Sequence, residues 1–167
     1  MIPVILKKLI FTVLAPKSEF MNKSITEFIE KQKCASVCCL DEKNDPYCFN
    51  IFYAFDKSEW RLYFKSSHNS NHAQYLLKNK TVAGTILPDK LNLFAIRGVQ
   101  FTGFVTDNPD LVHHHAAEEY HKKFSFALAM PGEVWTIQLE TIKLTDNTVG
   151  IGKKICWHRE NLYEDIC

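Results

Sequence analysis

The 167-residue sequence predicts a mainly β fold, a small barrel of about six antiparallel strands with flanking helices. Three observations lead there. Between residues 35 and 64, runs rich in β-branched, aromatic and cysteine residues alternate with turn clusters short enough for hairpins. Helical patterns are too few to supply the crossovers of a doubly wound parallel sheet. Hydrophobic residues make up 46% of the chain and charged residues 23%, enough apolar surface for one well-buried core in a length that is short for two.

The elements follow in chain order. Residues 1–20 carry an apolar stretch, but Lys7 and Lys8 interrupt it well short of a membrane span, and the PKSEF that follows is a poor cleavage context. They are expected to form a disordered appendage, with one domain over residues 21–167 and no membrane segment. Met21 precedes a helix start at Ser24-Ile25-Thr26-Glu27, which has the form of a capping box. Ile25, Phe28 and Ile29 give that helix its apolar stripe, and it is expected to stop near Lys33.

Strands are predicted over 35–40, 47–55 and 60–64, a helix over 71–80, and a strand over 82–86. A long strand over 94–105 contains Gly98 and Gly103, which mark a bend, a bulge or a close backbone approach. Asn108-Pro109-Asp110 opens a second helix. Residues 134–144 alternate as a final long strand.

Composition excludes some functions. A formal net charge of +1, with no Lys/Arg run longer than two, argues against nucleic-acid binding. The six cysteines form no CxxC pair, and Cys38 and Cys39 would point to opposite faces of a strand. The expectation is reduced thiols, mostly packed as small hydrophobes in a cytoplasmic protein. His113-His114-His115 cannot share a helix face. His114, Glu118 and His121 do share one, but Val112, Ala116, Tyr120 and Phe124 form a coherent buried stripe beside them, so no metal site is expected. No nucleophile–base pairing and no GxSxG turn can be read, leaving the catalytic residues unassigned.

The stretch KSSHNSNHA, residues 65–73, lies between a strand and a helix. Its hydroxyls and amides, with the unpaired N–H groups of a helix start, make a candidate monophosphate site. Lys65 and His72 are the available cations. The same run also reads as a solvated loop with Ser70 as N-cap. Asn50, Arg97 and Gln100 punctuate apolar strands and could address a polar ring. Near the C-terminus, Lys143, Asp146, Asn147, Lys153, Lys154 and Arg159 bracket Gly150 and Gly152. They read either as a salt-bridged tail or as a loop closing over an anion.

Longer strings carry a resemblance. NIFYAFD at 50–56, HAQYLLKNKTVAGTI at 72–86, IRGVQFTGFV at 96–105 and IKLTDNTVGIGKKICWHR at 142–159 closely resemble a small, functionally uncharacterised bacterial family. That family belongs to the pyridoxamine 5'-phosphate oxidase-like, FMN-binding split-barrel superfamily. The match runs from about Met21 to Arg159.

The resemblance implies a six-stranded split barrel and a homodimer with FMN clefts between subunits. Asn50, Ile51 and Phe52 become neighbours of the isoalloxazine. Lys65, Ser66, Ser67, Asn71 and His72 fall at the phosphate end, while Arg97 and Gln100 lie on a strand that approaches the flavin from the same or the partner subunit. Asn71-His72 stands where flavin-binding relatives carry Arg-Lys or Arg-His. Losing a fixed guanidinium implies weak FMN affinity and little cofactor after purification. The arginine-rich C-terminal end of true pyridoxamine phosphate oxidases is not matched. Three functions are implied: a flavin-dependent oxidoreductase on a small molecule, a non-catalytic flavin or small-anion binding module, and a structural dimer that has lost flavin.

Overall fold

The computed structural model describes residues 23–92, 95–106, 110–148 and 152–160, with the backbone alone for 110–113. Helix α1 (residues 23–31) leads into β1 (Cys34–Leu40), β2 (Pro46–Asp56) and β3 (Arg61–Ser66). Then come α2 (Asn71–Lys78), β4 (Thr81–Ile86), β5 (Arg97–Val105), α3 (Asp110–Lys123), a 3-10 turn over Ser125–Ala129, β6 (Glu133–Asp146) and β7 (Lys154–His158). Every pairing is antiparallel, in the order β3-β2-β1-β4-β5-β6-β7. A further ladder between β3 and β6 closes the first six strands into a barrel.

The long strand β6 makes both the closure and the split. Residues 133–138 pair with β3, whereas residues 141–145 pair with β7. Strand β5 follows β6 past the changeover, with a register shift between Thr102 and Gly103. Of the bend, bulge or close approach read from the glycines, a register shift and a close approach are both present at Gly103. A β-carbon on Gly103 would meet the Gln138 carbonyl carbon at 3.1 Å and the Leu139 Cα at 3.2 Å, so the two backbones approach as closely as they do only because Gly103 has no side chain.

Alternation sorts the side chains. Val37, Cys39, Ile51, Tyr53, Leu62, Phe64, Ile137 and Leu139 fill the barrel, where Ile25, Phe28 and Ile29 of α1 join them. A second cluster lies outside the wall, between α3 and the sheet: Ala116, Tyr120 and Phe124 pack on Ala54, Tyr63 and Val134. Three residues of the expected α3 stripe are thus buried, and the side chain of Val112 lies outside the described residues. No helix among the described residues is long and apolar enough to cross a membrane.

Several expectations need correction. Lys23 and Ser24 are already helical, so Ser24 is not the N-cap, a role that requires non-helical backbone. Helix α2 ends at Lys78 because Asn79 turns extended (φ −132°, ψ 110°). Residues 154–158 of the C-terminal segment are a strand rather than a flexible tail, and the loop expected over an anion, around Gly150, lies partly outside the described residues. After β7, Arg159 donates from Nε to the Leu139 carbonyl (2.7 Å) and from Nη2 to the Glu59 carbonyl (2.9 Å). The cysteines are less buried than expected: Cys39 is buried, while Cys34 and Cys48 are exposed. Cys156 is disulfide-bonded rather than reduced. The appendage expected at 1–20, and the 94 and 108–109 boundaries, lie outside the described residues.

Candidate functional site

The end of β3 and the start of α2 build a compact polar cluster. Ser70 is the N-cap of α2: its extended backbone (φ −73°, ψ 149°) lets Oγ accept from the Ala73 amide at 3.3 Å. The same hydroxyl donates to the Ser67 carbonyl at 2.9 Å. The His72 ring folds back so that Nε2 lies 2.7 Å from Ser66 Oγ and 3.0 Å from Ser70 Oγ. With the Ser70 proton committed to Ser67, the tautomer that satisfies both contacts carries its hydrogen on Nε2 and shares it between the two hydroxyl oxygens.

His72 also stacks on Phe49 of β2, with ring centroids 4.1 Å apart and planes at 6°. Burial holds its imidazole below the ordinary 6.5, which favours the neutral ring. An unfolded chain binds this proton more readily than the folded one, so stability declines as pH falls from about 6.5 through the lower folded value. The slope should be a fraction of the ~1.4 kcal/mol per pH unit available to one proton, because the ring is only half-buried. His72→Gln is expected to flatten this part of the profile. Urea midpoints followed from neutral to mildly acidic pH check this, and an unchanged slope in the variant would assign it to another group.

Around the cluster the loop is ordered by its own contacts. The Asn69 amide donates to Ser67 Oγ (3.2 Å), Gln74 Nε2 donates to the His68 carbonyl (2.6 Å), and His68 Nε2 lies 2.7 Å from Glu133 Oε2. Gly132, at φ +111°, lets the approach to β6 pass over Ser66; a β-carbon there would meet the Ser66 oxygen at 2.8 Å. The first amides of α2, on Asn71 and His72, have no partner within the helix. Together with the Asn71 side chain they are the donors that a phosphate group could take.

Strand β2 runs next to this cluster through Phe49. Asn50 and Phe52 share its outer face, while Ile51 is buried in the barrel, leaving only its backbone to a ligand. Asn50 Oδ1 accepts from Ser36 Oγ at 2.8 Å. Phe52 is 54% exposed and meets Phe124 edge-on.

Ser66, Ser67, Asn71 and His72 are thus brought together and meet β2 through Phe49 on its inner side, with Ile51 next on that side, while Asn50 and Phe52 face the opposite, outer side. Three other candidates stand apart within one chain. Lys65 alternates with Ser66 and points to the opposite side of β3, where Nζ donates to the Ala127 carbonyl at 2.7 Å. Arg97 pairs with Asp146 at the far end of β6 from Glu133, the residue opposite Ser66. Gln100 is exposed on β5, between Thr85 and Lys143. Phe49, which carries the His72 ring, was missed by sequence reasoning; the alternation that buries Ile51 and Tyr53 would have found it.

The closed barrel with its divided sixth strand is a split barrel. Solved structures share this fold at low identity. A protein from Clostridium acetobutylicum related to general stress protein 26 of Bacillus subtilis, of the pyridoxinephosphate oxidase family, superposes with a TM-score of 0.60 at 13% identity, covering 87% of this chain and 98% of that one. A FAD-binding protein from Mesorhizobium loti gives 0.57 at 16%, covering 71% and 89%. A heme binding protein from Mycobacterium smegmatis gives 0.69 at 12% over 83% of this chain, which spans just over half (57%) of that longer chain. No protein-family model matches the sequence. The chain belongs to the UPF0306 family: it is 33% identical over 138 residues to the UPF0306 protein of Serratia proteamaculans, covering 83% of this chain and 95% of the relative.

Proposed function

We propose that the protein binds FMN and uses it as a redox group on a small molecule. The observation that carries this reading is the start of α2, where the Ser66, Ser67 and Ser70 hydroxyls gather beside the first amides of the helix and the His72 ring stacks on Phe49 of β2. A helix N-terminus favours a phosphate dianion, through its unpaired N–H groups and its partial positive charge. Of the two cofactors named for its structural neighbours, FAD and heme, such a site favours the phosphorylated one.

In this arrangement the amides of Asn71 and His72, with the Ser67 and Asn71 side chains, hold the phosphate. His72 serves mainly as a brace, because its Nε2–H is directed at Ser66 and Ser70. Asn50 and Phe52 border the ring, and Ile51 offers its main chain. When bound, FMN supplies the electron-transfer chemistry; the chain supplies position and electrostatics. Arg97 and Gln100 reach this site only from a second copy, which supports a homodimer. The outer face bearing Ser36, Asn50, Thr85, Gln100 and Thr102 carries few charges, as interface cores do.

Titration with FMN and with riboflavin tests the reading. FMN is expected to bind with quenched fluorescence and a raised Tm, and riboflavin to bind more weakly. Asn71→Arg should tighten FMN about tenfold by adding a charge-assisted contact, without the same gain for riboflavin. Lys65→Ala should leave the FMN-to-riboflavin ratio as it was. If excess FMN alters neither fluorescence nor Tm, the cofactor assignment fails. Reduction of bound FMN by a nicotinamide donor marks the enzyme; a reading of storage or sensing gains if FMN binds and no donor reduces it.

A further inference from the structure

Cys38 and Cys48 lie directly opposite each other across the β1–β2 ladder, and both are free thiols. Their place in the hydrogen-bond pattern follows from its two ends. Tyr53 N donates to the Lys33 carbonyl (3.0 Å), and Asp41 N donates to the Asp45 carbonyl (2.9 Å). Both bonds join residues that continue the register pairing Cys38 with Cys48. Bonded and non-bonded pairs alternate along an antiparallel ladder. Counting inward by twos from either end makes Cys39–Tyr47 a bonded pair and Cys38–Cys48 a non-bonded one. Non-bonded partners have α-carbons only about 4.5 Å apart and side chains drawn close together.

Neighbours on the same strands agree. Ser36 and Asn50, the adjacent non-bonded pair, are hydrogen-bonded across the strands at 2.8 Å. The Cys38 thiol donates to its neighbour's carbonyl, Cys39 O, at 3.7 Å, and the facing Cys48 thiol, followed by burial, pushes its pKa up. Cys39 is buried on the other face of β1 and is out of reach. Cys48 is exposed and Cys38 half-buried, near the Asp41–Asp45 turn at the rim of the barrel.

We propose that Cys38 and Cys48 form a reversible dithiol–disulfide couple on the outer wall of the barrel, oxidised by low-molecular-weight disulfides. The exposed Cys48 thiolate attacks one sulfur of the small disulfide, whose S–S bond breaks and releases one thiolate. Cys38, giving up its proton, then attacks the Cys48 sulfur of the mixed disulfide and expels the second small thiolate. Two protein thiols are oxidised, one small disulfide is reduced, and the two protons released by the protein end on the two small thiols. An α-carbon separation near 4.5 Å lies at the short limit for a disulfide, so the bond is strained and readily reduced. That geometry suits a couple that cycles rather than a permanent staple.

Neither thiol belongs to the residues assigned to flavin; both lie on the face assigned to a second copy, one pair beyond Ser36 and Asn50 toward the Asp41–Asp45 turn, and the cross-linking test is read separately from FMN binding. The full chain, equilibrated with glutathione disulfide without denaturant, is alkylated and digested for mass mapping. The expected result is one cross-link joining the peptides of Cys38 and Cys48, free of glutathione and reopened by a mild excess of reduced glutathione. In Cys38→Ser the expected product is a persistent glutathione adduct on Cys48. The wild-type cross-link needs no variant to fold. The proposal is overturned if wild type keeps glutathione on Cys48 as stably as Cys38→Ser does, if both thiols remain alkylatable throughout, or if the cross-link joins another pair.

Discussion

Gly103→Ala is expected to destabilise the protein by about 3 kcal/mol or more, at the upper end for an added methyl group. The added β-carbon would fall on the Gln138 carbonyl oxygen, with the Gln138 carbonyl carbon and the Leu139 Cα as its next neighbours. All three are backbone atoms, so no rotamer change relieves the clash. Relief would need β5 and β6 to move apart at the register shift, where β6 passes from its ladder with β3 to its ladder with β7. Gly98→Ala is the internal control. Its β-carbon meets the end of a flexible side chain, Leu87 Cδ2 at 3.3 Å, and the Ile86 carbonyl oxygen at 3.6 Å. A change within about 0.5 kcal/mol is expected there. Urea midpoints of the two variants provide the comparison, and similar losses would show that the close approach at Gly103 is not the cause.

Asp146→Ala should lower stability by about 2–3 kcal/mol, the lower part of the range for breaking a buried pair because the surviving partner is partly solvated. Asp146 is 2% exposed and accepts from the Thr148 amide at 3.0 Å and from the Thr148 hydroxyl. It also pairs with Arg97 Nη2 at 2.8 Å. Removing the carboxylate strands a guanidinium lying 5.1 Å over the Phe28 ring of α1, whose Nε is buried without a partner.

Burial alone would raise the Asp146 carboxyl, but the Thr148 hydrogen bonds and Arg97 outweigh it and hold it below 3.8. A depressed folded value means the contribution is fully present above about 3.8 and disappears as pH falls through the folded value. Wild type and variant should therefore converge in acid. Adding Arg97→Ala should recover part of the loss, since no unpaired charge then remains. Denaturation of the single and double variants across pH measures both effects, and strictly additive losses would deny the coupling.

These two sites differ in how far the sequence revealed them. Gly103 was legible because a glycine inside an alternating strand has few structural reasons to be there. The β1–β2 hairpin was equally open, with alternating residues on either side of a turn cluster. Strand β7 was not. Five residues beginning with lysine are too short for a period to stand out, and their placement depends on Arg159 reaching carbonyls of Leu139 and Glu59, distant in sequence. The capping box at Ser24 was locally sound but was overridden by a helix that already includes Lys23.

The candidate site was legible in the same uneven way. Ser66, Asn71 and His72 belong to one strand–helix junction, so local reasoning could group them. Lys65 could not be placed locally because adjacent strand residues face opposite ways, and only the packing of α3 on the outer wall shows which side Lys65 takes. The separation of Arg97 from the loop depends on the length and register of β6, which sequence alone left undetermined.

The ladder that closes the barrel has a kinetic consequence. Strands β1, β2 and β3 follow one another through short turns, whereas β3 meets β6 across roughly 70 residues of intervening chain. The loop entropy of that contact must be overcome before its hydrogen bonds can form, so closure belongs late in folding, after β4 and β5 have joined the sheet. Until then β3 is an open edge bearing Leu62 and Phe64, and the nascent chain is most exposed to mispairing with other chains at the strand that later makes the barrel edgeless there.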